Sequence, residues 1–425
     1  MSIIKDHNYD YYLMLRKKLR ISINDIEYDK VIAHDLGRIA FRQNYTQLTR
    51  ETVNHFIFTI DIKQLLQLMT ENKLVIVYSV DRSDYEYQIK QTLEDISSAN
   101  ALLLSSLPRK ITFKPFRAMF FFIYFLFKLG FKKHGFNVLF FLTSKMLFYR
   151  SVHEQLDKYF SNFDFSQKKY VSFNSVYTVE NLLTQFFNKK GCSTFSLSHG
   201  FFVNFKRFIP LDIINGENIV AENILVWGDS SRNDLIQNFG VPIERISVAG
   251  NPKYKYKSIH IKQEFRKCIV LLGRVIYQEE NIEIINIIKD YVKQNPNIQF
   301  ELKLHLSLNT DYYRNLCEGT SISVVDGKES LTEIFTNQNY DFAIVNNSTA
   351  YYEAMYYDLI CFRYEKAENE DFLGLNDKFS DVESLQTKIK YFKELNTQIL
   401  NSSVESLLLS TIGMGINKYK EILGS

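Results

Sequence analysis

The sequence predicts a two-domain α/β protein, each half a parallel sheet covered by helices. Three observations carry this. The chain has 425 residues, more than a single core usually organises. Short apolar runs recur along it, each ending in small or polar residues, and most are followed by helical spacing. A break at Gly250-Asn251-Pro252 and a Lys/Tyr-rich stretch to Lys267 separate two such successions.

The elements follow in order. Tyr28–Ala33 reads as a first strand, ending at His34-Asp35-Leu36-Gly37. Leu74–Val80 is a continuous β-branched run and reads as the next. Tyr170–Phe173 precedes a helix over Thr178–Lys189, which Gly191 stops. Ser193–Leu197 and Ile224–Trp227 complete the first set. In the second half, strands are expected at Lys267–Leu272, Gln299–His305, Ile322–Val325, Asp341–Val345 and Leu359–Arg363. Helices are expected at Glu279–Lys293, Leu331–Phe335 and Thr349–Tyr357. This divides the chain into residues 1–250, a linker over 251–266, and residues 267–425.

Composition narrows the function. Hydrophobic residues are 46% and charged residues 23%, which excludes disorder as the main state. A net charge of +3 argues against a dedicated nucleic-acid binder. The four cysteines stand far apart with no CxxC pair, so neither a disulfide framework nor a zinc site is expected. Met1–Asn24 lacks the apolar stretch of a secretion signal. No run reaches the ~18 apolar residues of a spanning helix. A cytoplasmic protein is expected, free or at the inner face of the cell membrane.

One segment departs from the rest. Pro108–Arg150 holds nine Lys/Arg and twelve Phe, with no Asp or Glu. Its centre, Ala118–Phe127, would cover ~15 Å as a helix, too short to span a bilayer. Two readings stand: a buried helix with basic ends, or a surface lying on an anionic membrane.

In open α/β sheets, ligands bind beyond the carboxyl ends of the strands. Four loops there carry candidate chemistry. In the first, His34 or Asp35 could handle a proton and Gly37 could let backbone approach a ligand; a plain helix cap by Asp35 is the alternative. The second is Ser198-His199-Gly200, where an imidazole can serve as base near neutral pH. In the third, Lys303 and His305 share one strand face and suit a phosphate. In the fourth, Asn347, Ser348 and Thr349 open a helix and could bind an anion, and Glu353, one turn on, could accept from ribose hydroxyls. Gly273-Arg274 follows a strand in the same way. No Walker loop, GxGxxG, HExxH or strand-end DxD is present, so no metal and no cofactor are expected.

Several of these pieces occur in a familiar order. Trp227-Gly228, then Gly240-Val241-Pro242, Arg245-Ile246 and Gly250-Asn251-Pro252 resemble the inter-domain region of GT-B glycosyltransferases of bacterial capsule and surface-polysaccharide synthesis. Lys303-Leu304-His305-Leu306 resembles the K-x-H-P element of polysialyltransferases, sialyltransferases and CDP-glycerol glycerophosphotransferases, with Leu306 in place of proline. Asn347-Ser348-Thr349 and Tyr352-Glu353-Ala354 resemble their Ser-Ser/Thr element and Glu-Ala helix. Ser198-His199-Gly200 stands where glycerophosphotransferases carry His-Gly, and His34–Gly37 resembles an acceptor-side loop. The resemblance covers residues 190–365. It implies two Rossmann-like domains with a cleft between them. Catalytic roles would fall to His199 and His305, with Ser348 and Thr349 holding the leaving phosphate. A nucleotide-sugar donor and a glycan or lipid-linked glycan acceptor are the implied partners. Alternatives are a glycerophosphotransferase, a UDP-sugar epimerase on the same fold, and a non-catalytic partner.

Overall fold

The computed structural model describes residues 7–41, 45–201, 213–325, 329–337, 340–346, 348–365 and 373–424. Besides a short antiparallel pair, Ser22–Ile23 and Ile26–Glu27, the strands of the first half are β1 (Phe58–Ile60), β2 (Leu74–Tyr78), β3 (Ala99–Leu103), β4 (Arg109–Ile111), β5 (Lys169–Ser172), β6 (Ser193–Leu197), β7 (Asn223–Val226) and β8 (Ile246–Val248). The second half has β9 (Lys267–Leu271), β10 (Gln299–Lys303), β11 (Ile322–Val325), β12 (Phe342–Val345), β13 (Ile360–Tyr364) and β14 (Lys378–Phe379). The helices used below are α1 (Ala33–Ala40), α2 (Tyr45–Ile57), α3 (Ser83–Leu93), α4 (Pro115–Leu129), α5 (Phe131–Tyr159), α6 (Thr178–Lys189), α7 (Asp229–Phe239), α8 (Gln278–Gln294), α9 (Leu331–Asn337), α10 (Ala350–Tyr356), α11 (Thr397–Thr411) and α12 (Tyr419–Gly424).

Two six-stranded sheets organise the chain, in the orders β8-β7-β6-β5-β2-β3 and β11-β10-β9-β12-β13-β14. Every pairing within them is parallel. β1 and β4 form a separate antiparallel pair, with Ile60 opposite Arg109. The sequence explains the parallel sheets. β2 (LVIVY) and β13 (ICFRY) are buried at every position, as strands covered on both faces must be. The chain therefore has the two-domain α/β architecture of the GT-B type.

Tyr28–Ala33 is not a strand. Tyr28–Val31 is a helical turn and α1 follows it. Tyr28, Val31, Ile32, Leu36 and Ile39 are buried, a spacing of three to four that a six-residue window cannot separate from a buried strand. His34–Gly37 thus lies inside a helix rather than in a strand-end loop.

Residues 251–266 contain no helix or strand. Beyond α11 the chain returns to the first sheet. α12, within the residues expected of the second domain, joins the apolar cluster of Leu74, Ile76 and Tyr85 through Tyr419 and Leu423. Tyr419 donates to the Gly250 carbonyl (2.6 Å). Lys169 donates to the carbonyls of Ile422 and Leu423 (both 3.2 Å). Two chain passages therefore link the domains, and they touch at glycines. Gly250 has φ +87°, and a Cβ on it would lie 1.9 Å from the Ile416 carbonyl oxygen. Gly413 has φ +63°, and its Cβ would lie 2.1 Å from the carbonyl oxygen of Trp227. Both the left-handed backbone and the missing side chain are required there.

Candidate active site between the two domains

On the first-domain side, the loop after β6 carries His199. Gln88 on α3 donates to the Ser198 carbonyl (3.0 Å) and fixes the start of that loop. The His199 ring lies 6.0 Å from that of Tyr177 and 6.3 Å from that of Tyr85. The opposite side of this row is His34, edge-on to Tyr177 at 5.3 Å. The guanidinium of Arg82 sits 4.3 Å above the Tyr85 ring. His34 and His199, 165 positions apart in sequence, are thus joined through one tyrosine. Gly200 has open space where a Cβ would be, so its surroundings do not demand glycine.

The neighbouring Asp35 is elsewhere. It is 1% exposed, accepts from Tyr149 Oη (2.7 Å) and pairs with Lys145 (3.3 Å). Lys145 also holds Glu51 (2.5 Å). Asp35 is therefore an interior ion-network member, and Gly37 is buried within α1. Asp35 is turned toward Lys145 and Tyr149 on α5, and Gly37 is enclosed within the domain.

Sequence reasoning missed Glu180, on the first turn of α6. It is fully enclosed and accepts from the Asn174 amide (2.8 Å) just past β5. Burial pushes its carboxyl up to about 8, against the opposing pull of that hydrogen bond. An acid in the first turn of a helix that follows a strand was the available signal.

On the second-domain side, two strand ends are clipped together. The Gly273 amide donates to Asn281 Oδ1 (2.9 Å), and Asn281 Nδ2 donates back to the Gly273 carbonyl (3.0 Å). Asn346 Nδ2 donates to the same Oδ1 (3.1 Å). Asn281, on α8, thereby ties the loop after β9 to the loop after β12. A Cβ at Gly273 would come within 3.1 Å of the Tyr277 ring.

His305 follows β10 and is exposed. Its Nδ1 accepts from the Ser307 amide (3.1 Å), so the neutral ring carries its proton on Nε2. Partial burial, then the charges of Arg274 and Lys303, lower its pKa. The same fields show that both cations lie near the ring. Lys303 itself is 9% exposed.

Ser348 Oγ accepts from the Ala350 amide (3.2 Å). Thr349 precedes α10 and its hydroxyl makes no capping bond. Asn347 lies outside the described residues. Glu353 Oε1 pairs with Lys253, just after Gly250-Asn251-Pro252, and accepts from Thr332 on α9 (3.4 Å). The expected ribose acceptor is thus already tied to the linker.

The two sides meet at Phe201. Its ring is edge-on to Trp227 at 5.5 Å and lies 5.2 Å from Tyr352 on α10. The His199 loop, which starts on the first sheet, therefore ends against the helix that bears Glu353.

No protein-family model and no curated protein matches the chain. Solved structures do. A UDP-GlcNAc 2-epimerase of Methanocaldococcus jannaschii, in complex with UDP-GlcNAc and UDP, is 11% identical with a TM-score of 0.48, covering 76% of this chain and 93% of that one. A putative UDP-N-acetylglucosamine 2-epimerase of Listeria monocytogenes is 9% identical with a TM-score of 0.49, covering 83% and 95%. The pneumococcal O-GlcNAc transferase GtfA, in complex with UDP and GlcNAc, is 11% identical with a TM-score of 0.43, covering 66% and 60%. The fold itself rests on the sheet topology described above.

Proposed function

We propose that the chain is a glycosyltransferase that moves a sugar from a nucleotide-activated donor, a CMP- or UDP-sugar, to a growing bacterial capsular or cell-surface glycan. In this reading the first domain holds the acceptor and the second the donor. The acceptor hydroxyl oxygen bonds to the anomeric carbon as the bond from that carbon to the leaving phosphate breaks, with inversion. The hydroxyl proton passes to His199. The electron pair leaves on the phosphate oxygen, met by His305 Nε2–H, Arg274 and Lys303. Ser348 and Thr349 hold the same phosphate. Protein cations take the part that a metal ion plays in other transferases.

The observation that supports this most is the bridge at Phe201. It brings the loop that carries the candidate base against Tyr352, on the helix that follows Ser348 and Thr349. The test has two stages. Thermal unfolding with CMP, CDP, UDP and GDP identifies the nucleotide, because a bound ligand stabilises by mass action. Incubation of the matching sugar nucleotide with and without glycan acceptor then separates the reactions. Transfer that needs acceptor supports the reading. Sugar isomerisation without acceptor points to an epimerase instead, and phosphate in the product to a glycerophosphotransferase.

A cytoplasmic location at the inner membrane face belongs to the same proposal. No described helix is long and apolar enough to cross a membrane. α4 buries Phe121, Phe125 and Leu129 but leaves Phe116 and Phe127 84% exposed, with Phe120 and Ile123 on the same side. Such an outer face suits the headgroup boundary of an anionic bilayer. The free charge is smaller than the sequence suggests, since Lys114 and Arg117 both pair with Glu154. Sedimentation with phosphatidylglycerol vesicles should be lost in Phe116→Ser/Phe127→Ser. Equal sedimentation of the variant, or none by the unaltered protein at low salt, would count against membrane contact.

A further inference from the structure

A second cavity lies in the first domain, away from the crevice. Its volume is about 570 Å³, and it opens between α2, α5 and the β1–β4 pair. Phe58, Ile60 and Phe148 form apolar walls, while Arg50 and Arg109 stand at its exposed rim. Neither arginine has an ion-pair partner among the described residues. The one carboxylate in the lining, Glu51, is held by Lys145 (2.5 Å) and Arg38 (3.0 Å). Charge around the cavity is therefore positive on balance.

Two lining residues carry buried, unmatched polar atoms. Thr59 is 1% exposed and its Oγ1 has no hydrogen-bond partner, but Phe58 and Ile60 face the cavity, so strand alternation turns that hydroxyl away from it. The Nδ1 of His55 is likewise buried without a partner, and its ring lies 4.4 Å from that of Phe148. Burial, then the Lys145 charge, lowers its pKa to about 3, so the ring is neutral at physiological pH and the positive charge at the cavity is that of the two rim arginines.

The cavity adjoins the exposed apolar surface. Ile60 pairs with Arg109 across β1 and β4. That short strand runs directly into Phe113 (63% exposed) and Phe116. A line of rings, Phe56–Phe140–Phe136–Phe122, with centroid separations of 4.3, 5.6 and 5.4 Å, joins α2 at the cavity to α4. A cationic rim, a neutral imidazole in the lining, apolar walls and a flanking apolar surface together match one ligand chemistry.

We propose that this cavity binds a phosphate ester carried on an apolar tail, with the phosphate between Arg50 and Arg109, His55 beside it, and the tail lying along α4. The proposal is independent of the transferase reading, because it requires binding and no turnover.

Short-chain probes test it. Dihexanoyl phosphatidic acid, kept below its micelle concentration, should bind in calorimetry. Glycerol 3-phosphate, with the same headgroup and no tail, should bind at least about tenfold more weakly. Arg50→Ala/Arg109→Ala should weaken the lipid probe by about a hundredfold, from two lost charge-assisted hydrogen bonds. Thr59→Val, whose hydroxyl is turned away from the cavity, should leave the affinity unaltered. Nucleotide-induced thermal shifts should be unaltered in both variants, which separates this site from the crevice. In the unaltered protein, the His55 ring resonances should move on adding the lipid probe, a readout that needs no variant. Equal affinity for glycerol 3-phosphate would assign the cavity to a free phosphate ester and overturn the tail. Full affinity in the double arginine variant, or a still His55 resonance, would overturn the site.

Discussion

The two sides of the crevice handle charge in opposite ways. On the first-domain side the two imidazoles sit among tyrosine rings, the Arg82 guanidinium over one of those rings is paired with Asp84, and Glu180, buried within the domain, has its carboxyl pushed up to about 8. On the second-domain side, an exposed imidazole has its pKa lowered by partial burial and by the charges of Arg274 and Lys303, and backbone loops are clipped by amide side chains. The first wall is suited to receiving a proton without attracting anions. The second is suited to meeting negative charge. A displacement at an anomeric carbon needs these two capacities on opposite faces of one carbon.

Exchange of His199 should break this comparison most severely. Loss of a general base typically costs a factor of about 10²–10⁴. His199→Ala should therefore abolish measurable transfer while nucleotide-induced stabilisation persists, because the phosphate-binding groups belong to the other domain. If transfer survives in His199→Ala, the proton goes elsewhere, and His34, on the other face of Tyr177, is the next residue to exchange.

Glu180 sharpens the contrast through stability. Its folded-state value lies above the unfolded value of 4.5. Between those values the folded protein holds a proton that the unfolded chain releases. Stability from this group is thus full below about pH 4.5 and falls as pH rises to about 8, then stays level. Glu180→Gln keeps the neutral form at all pH values. Its stability relative to the unaltered protein should improve across that window, by on the order of 5 kcal/mol at most. Denaturant unfolding at pH 5 and pH 8.5 measures this. A constant difference between the two proteins would show that Glu180 ionises normally.

The second half of the fold was more legible in the sequence than the first. β9 to β13 are short β-branched or aromatic runs, all but one in order with a helical pattern between them, and Ile322–Val325 stands in the structure as expected. The first half hides β3, whose Ala-Asn-Ala-Leu-Leu has little strand preference and occupies a sheet edge. It also disguises a helix as a strand at Tyr28. For the site, local sequence located His199, His305 and Ser348 at strand ends, because a strand end is a local property. It could not find the Tyr177 bridge, the Asn281 clip or the Lys253–Glu353 pair, since each depends on which distant segments pack together. The glycines of Trp227-Gly228 and Gly250-Asn251-Pro252 acquire a physical meaning only in the structure. They are where two inter-domain passages touch.

His305 tests the cationic side. The ring donates through Nε2 only while neutral or protonated, and its lowered pKa keeps the neutral form dominant at physiological pH. His305→Ala should reduce kcat by about ten- to a hundredfold with little change in donor affinity, if the ring acts on charge that develops late. An equal loss in affinity and turnover would make it a ground-state binding group.

Ser348 and Thr349 should show the smallest effect, and the most specific one. Ser348 Oγ accepts one amide hydrogen, and the Thr349 hydroxyl caps nothing. Their stability contribution is therefore about 1 kcal/mol or less, and Ser348→Ala/Thr349→Ala should fold. Two hydroxyl donors to a phosphate, each contributing about 0.5–1.5 kcal/mol, correspond to a loss of roughly tenfold or more in nucleotide affinity. The loss should be equal for mono- and diphosphates if the pair holds the phosphate nearest the ribose, and confined to diphosphates if it holds the outer one. Titration of the double variant with CMP and CDP distinguishes the two. Unchanged affinity for both would remove these hydroxyls from the donor side, leaving Arg274, Lys303 and His305 to meet the phosphate alone.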